Sequence, residues 1–332
     1  GYAKDYLSII FIGLIPFSLQ VILNNLVRAE GRAKVAMISM IIGAGANIIL
    51  DPIFIFDWGL NMGVEGAALA TVISRILAFI YVFVAALSKQ SKLDIKLKNI
   101  YKIDIKMFGE ISSIGFSSFF RNALGAFLVI LINNLIRTYA LGDADTYQAM
   151  FGIINRLIMF LLMPGFGLIQ GLQPMVGYNF GAKFYKRLYH VIAYALKLLL
   201  IYFGTIFILT QIFATQLFSI FIDNPTALLI SEGPNALRIV ALAYGIIGFQ
   251  IILSSVYQAM GYPVRAFLVA ASRQFILFIP LVFLFSHLFG VTGIWMTFFV
   301  ADLVESLASA FVFRYEMRDL HRKIPNAQLE LS

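Results

Sequence analysis

VAMISMIIGAGANIILDPIFIF, residues 35–56, is a continuous apolar run of the ~20 residues that a bilayer asks of a spanning helix, and its single charge is Asp51. Eight further runs of the same kind lie along the chain. They are Tyr6–Val27, Gly66–Leu87, Phe116–Ile136, Phe151–Leu172, Ile192–Phe213, Ile239–Ala259, Ala266–Leu288 and Val291–Phe313. A transmembrane barrel would show runs of only ~10 residues with strict alternation, and none of these alternates. The first run has no basic segment before it and no cleavage site after it, so it is not a signal peptide. The sequence therefore predicts an all-α polytopic membrane protein with nine transmembrane helices.

Composition agrees with that reading. Of 332 residues 61% are hydrophobic and only 13% charged, with a mean hydropathy of +0.88. A soluble domain has about a quarter of its residues charged, so a water-facing surface cannot be clothed here. The formal net charge of +8 does not point to nucleic acid, because the basic residues sit in loops between apolar runs and form no single basic face. Cysteine is absent, which excludes disulfides, thiolate catalysis and Cys-based metal sites. His190, His287 and His321 are too far apart in sequence to show metal-ligand spacing.

Loop charges orient the spans. Arg28, Arg32 and Lys34, then Lys89, Lys92, Lys96, Lys98, Lys102 and Lys106, then Lys183, Lys186 and Arg187 fall in alternate loops. Arg265 and the tail residues Arg314, Arg318, Arg322 and Lys323 bring that side to 17 of the 25 Lys and Arg. The other side carries Asp57, Glu65, Asp143, Asp145, Asp223 and Glu232. The positive-inside rule makes the first side cytoplasmic. The expected location is thus a plasma membrane (the inner membrane of a bacterium), with the C-terminus in the cytoplasm.

A repeat underlies the pattern. Tyr6–Met37 aligns without gaps on Ala236–Phe267, with eight identities in 32 positions that include Gln20/Gln250 and Gly31/Gly261. Further on, Gly63-Val64-x-Gly66 recurs as Gly290-Val291-x-Gly293. The copies are six spans apart and so share one orientation, which makes a parallel repeat about an axis along the membrane normal. The second copy begins near Ile111. By that reckoning roughly 120 residues, three helices' worth, are expected upstream of Tyr6 on the pattern of the second copy. The fold expected is a twelve-helix protein of two six-helix lobes. Residues 1–87 hold the last three helices of the N-terminal lobe, 88–110 a basic cytoplasmic linker, and 111–332 the C-terminal lobe and tail.

A charge in hydrocarbon is costly and marks a candidate site. Asp51 lies four residues after Asn47, on one helical face, and Pro52 frees a backbone carbonyl nearby. Carboxylate, amide and carbonyl oxygens suit Na⁺ or a proton, and Thr71 on the next span adds a hydroxyl. The plainer alternative puts Asp51, five residues from the end of its span, at the outer interface. Arg121, Arg156, Arg273, Asp302 and Glu305 also fall within spans; they are candidates for ion-pair or gating roles, or else pair structurally or reach the interface. Pro16, Pro164, Pro174 and Pro280 suit bent helices.

VRAEGRAKVAMISMIIGAGANIILDPIFIF (27–56), NMGVEGAALATVIS (61–74) and QGLQPMVGYNFGAKFYKR (170–187) resemble the multidrug and toxin extrusion (MATE) family. The likeness runs over the whole chain, from what would be the family's fourth helix to its twelfth. It implies a two-lobed antiporter that exports amphipathic, cationic small molecules in exchange for Na⁺ or H⁺, with no other cofactor. It also implies that Asn47, Asp51 and Thr71 contribute to a cation site in the N-terminal lobe. Some members place a second Na⁺ site on acidic residues of the seventh and tenth helices. Phe116–Ile136 and Ile239–Ala259 contain no Asp or Glu, so coupling is expected in the region of Asp51. A lipid-linked sugar flippase of the same superfamily is the alternative, kept open by Arg121, Arg156 and Arg273. An intramembrane enzyme would need a nucleophile or ligand beside Asp302 and Glu305, and none is evident in sequence. The partners expected are the bilayer and small molecules, and the protein is expected to be a monomer.

Overall fold

The computed structural model describes residues 2–88, 90–91, 105–140, 142–221 and 226–329. Among these the regular structure is entirely helical. The chain divides into two compact units, Gly1–Asp104 and Ile105–Ser332. Of the basic linker expected over 88–110, residues 89 and 92–104 lie outside the described residues, and Ile105 already opens a helix.

The first unit contains α1 (Tyr2–Ile12), α2 (Leu14–Ala29), α3 (Ala33–Ile55) and α4 (Gly63–Ala86). The run Tyr6–Val27, expected as one helix, is two, bent by 49° at Gly13. Pro16 explains the bend: it has no N–H for the carbonyl of Ile12, and its ring crowds that carbonyl. Leu23, Val27, Ala36, Val82 and Ala86 form the buried apolar centre. Beside it the Gln20 amide donates to Ser39 Oγ at 3.5 Å, and Ser39 donates to the carbonyl of Ala78 at 3.0 Å. Gly43 lets α3 and α4 approach there, since a Cβ on it would lie 3.2 Å from that of Ala78.

The second unit contains α5 (Ile105–Tyr139), α6 (Ala144–Gly181), α7 (Tyr185–Ser219), α8 (Ala227–Ala241), α9 (Gly248–Ala259), α10 (Pro263–Ala271) and α11 (Ile279–Leu329). At 38 residues, α6 is ~57 Å long at about 1.5 Å per residue, so the ~20-residue apolar spans read from sequence are the middles of longer helices. The run Ile239–Ala259 is again a bent pair, α8 and α9, turned by 55° around a short 3₁₀ segment at Tyr244–Ile246. Between α10 and α11 the backbone widens into a π-helix over Ser272–Phe278. Pro280 follows directly and has no N–H for the carbonyl of Ile276, so a wider turn relieves the clash that an α-helical register would impose.

α11 is not one rod. Gly290, at φ 60° and ψ −139°, reverses the chain. In a straight helix residues 285 and 293 would be ~12 Å apart, yet a Cβ on Gly293 would sit 1.9 Å from the carbonyl oxygen of Phe285. The runs Ala266–Leu288 and Val291–Phe313 are therefore separate spans joined by a tight turn. With the two bent pairs and the shorter apolar helix Ala123–Tyr139, each of the nine runs falls on a helical stretch.

The repeat is visible in the backbone. Gly31 and Gly261 both have positive φ, 83° and 79°, and close the same C-terminal cap. Arg32 N–H donates to Val27 O at 2.9 Å in the first copy, and Tyr262 N–H to Tyr257 O at 2.8 Å in the second. Gly63 and Gly290 share φ near 54° and 60°. Gly66 and Gly293 each press on a backbone carbonyl, those of Phe54 and Phe285.

Candidate functional site

Two polar groups stand out, one in each unit. In the first, α3 places Asn47 and Asp51 one turn apart, both half-buried. The Asn47 Nδ2 donates to Asp51 Oδ1 at 2.9 Å, which leaves the amide oxygen free to accept a cation. Pro52, inside α3, provides no hydrogen for the carbonyl of Ile48. Carboxylate, amide oxygen and that carbonyl are hard ligands of the sort that hold Na⁺, and a carboxylate is equally a proton acceptor. Thr71 is half-buried on α4, and its hydroxyl donates to its own helix at Ala67 O, 2.9 Å away. The structure thus joins Asn47 to Asp51 and, among the described residues, forms no hydrogen bond from Thr71 to either.

In the second unit α11 carries Asp302 and Glu305 one turn apart, only 2% and 5% exposed. Arg273 on the π turn binds Asp302 through Nε. The Gln250 amide also approaches Asp302 Oδ1, at 3.5 Å. Ser272 and Ser309 flank Glu305 at 2.9 and 3.1 Å. Of the five residues offered as gating candidates, the structure gathers these three: Arg273, Asp302 and Glu305. Arg156 is exposed on α6 and makes no ion pair among the described residues. The side chain of Arg121 lies outside the described residues.

Sequence reasoning overlooked Gln250, Ser272 and Ser309. The signal for Ser309 was its position four residues after Glu305, and for Gln250 its repeat match to Gln20. Nothing in the sequence announced Ser272, because a π turn sets its direction.

The Arg273–Asp302 pair has a measurable consequence. Removing one member of a buried pair leaves the other charge uncompensated, at a cost of about 3–5 kcal/mol. Arg273→Ala should therefore lower the melting temperature of the purified protein sharply, whereas Arg273→Ala combined with Asp302→Ala should recover much of the loss. Equal melting of the single variant and the parent would show the pair to be dispensable.

The family model MatE matches residues 1–53 and 114–284. The chain belongs to the MatE family. Asn47 and Asp51 fall within the matched residues of this MatE protein, as do Gln250, Ser272 and Arg273. It is 28% identical over 319 residues to the multidrug export protein MepA of Staphylococcus haemolyticus (strain JCSC1435), covering 96% of this chain and 68% of that protein. The identity to MepA of Staphylococcus aureus (strain NCTC 8325 / PS 47) is also 28%, over 318 residues, covering 95% of this chain and 67% of the relative. Among solved structures, the MATE multidrug transporter DinF-BH superposes with a TM-score of 0.83 at 34% identity, covering 96% of this chain and 70% of that one. A MOP superfamily transporter from Pyrococcus furiosus shares the fold, with a TM-score of 0.86 at 22% identity and the same coverage.

Proposed function

We propose that this MatE protein exports amphipathic, cationic small molecules across the plasma membrane, the inner membrane if its host is a bacterium, in exchange for H⁺ or Na⁺. The multidrug export named for its staphylococcal relatives, and the multidrug transport named for DinF-BH, support the substrate class. The observation that carries the coupling is the Asn47–Asp51 pair, the single charge of the apolar run 35–56 held 2.9 Å from a neutral amide. Binding the coupling ion neutralises that charge, and the gain differs between inward- and outward-facing states if they bury it differently. Thr71 lends a hydroxyl lone pair to the same site as the helices move, while Arg273 and Asp302 remain a structural pair. With Arg273 held by Asp302, one of the three cations that would serve a lipid-linked sugar is already occupied, which favours drug export over the flippase reading. The transporter acts as a monomer, without an enzymatic step, through two lobes. The N-terminal lobe includes residues 1–87, and the C-terminal lobe 111–332.

The test is transport in proteoliposomes by the natural full-length protein. A fluorescent organic cation should move against its own gradient when a pH or Na⁺ gradient is imposed, and should not without one. Failure under both gradients would defeat the reading.

Orientation is tested separately, and the absence of cysteine from these 332 residues keeps their background labelling low. A cysteine at Lys96 should be protected from a membrane-impermeant thiol reagent applied outside cells, and one at Asp145 should react. Reversed reactivity would invert the topology drawn from the basic loops.

A further inference from the structure

The polar group in the second unit holds more than an ion pair. Arg273 is engaged by Asp302, and Glu305, one turn further along α11, is left as a second buried carboxyl. The charged groups that act on Glu305 among the described residues are Arg273 and Asp302, with Tyr244 of the 3₁₀ segment buried beside that pair. Were Glu305 ionised, two buried negative charges would share the one positive charge of the part-buried Arg273. An uncompensated charge of that kind is among the most costly features a membrane interior can contain.

Counting hydrogens leads to the same place. Ser272 Oγ lies 2.9 Å from Glu305 Oε2 and 3.0 Å from the carbonyl oxygen of Val269. Ser309 Oγ lies 3.1 Å from Glu305 Oε1. A main-chain carbonyl only accepts, and a serine hydroxyl has a single hydrogen. An ionised Glu305 therefore leaves two hydrogens for three contacts. With a proton on Oε2 each contact has its own: Glu305 donates to Ser272, Ser272 to Val269, and Ser309 to Oε1. The π turn makes this possible, because the consecutive residues Ser272 and Arg273 reach the two carboxyls at once.

We propose that Glu305 is a proton-binding carboxyl of the second unit, protonated in the state described here through an O–H bond at Oε2 that donates to Ser272. Loss of that proton leaves Ser272 a single hydrogen for Glu305 and the Val269 carbonyl and returns a negative charge beside Asp302, so occupancy by a proton and the packing of the π turn on α11 are coupled. The site is distinct from Asp51. If the antiport reading holds, it gives the second unit its own proton-dependent element, on the last helix and not on the two helices where some members of the family place acidic residues.

Infrared difference spectroscopy of the purified full-length protein reads this directly. The measurement is made in an Asp51→Asn background so that Asp51 contributes nothing. The expected result is a protonated-carboxyl C=O band that persists at neutral pH, shifts in D₂O, and is missing from Asp51→Asn/Glu305→Gln. Glutamine reproduces the neutral shape of a protonated glutamate, so that variant should fold. If it does not, Glu305→Asp keeps a carboxyl with a shorter reach, and its band should move. A band unaltered by either substitution, no such band at neutral pH, or a band abolished by Na⁺ at constant pH would each overturn the proposal. Because the readout is protonation and not transport, its failure is separable from failure of the antiport reading.

Discussion

Asp51→Asn in the full-length protein should insert, express and bind substrate normally, yet lose gradient-driven efflux almost entirely. The substitution keeps size and the hydrogen bond with Asn47, now 2.9 Å from Asp51 Oδ1, but holds the site permanently neutral. A neutral site has no differential affinity for a coupling ion. A ligand shifts a conformational equilibrium only by its differential binding to the two states, so the imposed gradient can no longer drive the cycle. Asn47→Ala removes one neutral oxygen and should weaken coupling less. Thr71→Ala should weaken it least, since the Thr71 hydroxyl is spent on Ala67 O at 2.9 Å in this state. The measurement is efflux from proteoliposomes under imposed pH and Na⁺ gradients. If Asp51→Asn pumps like the parent under both, Asp51 is an interface residue and coupling resides elsewhere.

Gly293→Ala should be the most damaging small substitution in the chain for folding. The new Cβ would lie 1.9 Å from Phe285 O and 2.3 Å from Phe285 C. Both are backbone atoms, with no rotamer to yield. Overpacking costs about 1–3 kcal/mol where side chains can adjust and more where they cannot, against a total stability of about 5–15 kcal/mol. The tight turn at Gly290 would have to open, and the two spans it joins would lose their register. Gly66→Ala, at the matching place in the first copy, faces Phe54 O at 2.4 Å and should be less damaging than Gly293→Ala. Gly204→Ala in α7 meets nothing within 4 Å and should be neutral or stabilising by up to ~1 kcal/mol. Size-exclusion profiles and melting of the solubilised variants would rank the three. A Gly293→Ala protein as monodisperse and stable as the parent would mean that the turn is not tight.

Much of the architecture was written in apolar run length, because a bilayer leaves a segment few choices: it must close its own backbone hydrogen bonds, and a helix of ~20 apolar residues does so. That constraint placed all nine helical stretches. The internal repeat was legible for a related reason, since Gly31 and Gly261 stand where only glycine takes a left-handed cap cheaply, and Gly66 and Gly293 where only glycine fits against a carbonyl. The Asn47–Asp51 contact followed from four-residue spacing on one helix.

What the sequence could not determine depends on which helix faces which. Pro16 was visible, but that it bends its helix by 49° while α8 and α9 bend by 55° with no proline at the break depends on packing around each break. Arg273, Asp302 and Glu305 were each legible as charges inside spans. Which cation met which carboxylate was not, because the two helices join at a turn and their relative rotation is set by the π turn before Pro280. Composition and periodicity thus determined by themselves that the chain spans a membrane with apolar helices and that it repeats, because hydrocarbon enforces those features locally. Only the tertiary structure decided that Arg273 neutralises Asp302 and leaves Glu305 to its serines, because pairing buried charges depends on contacts between residues about thirty positions apart.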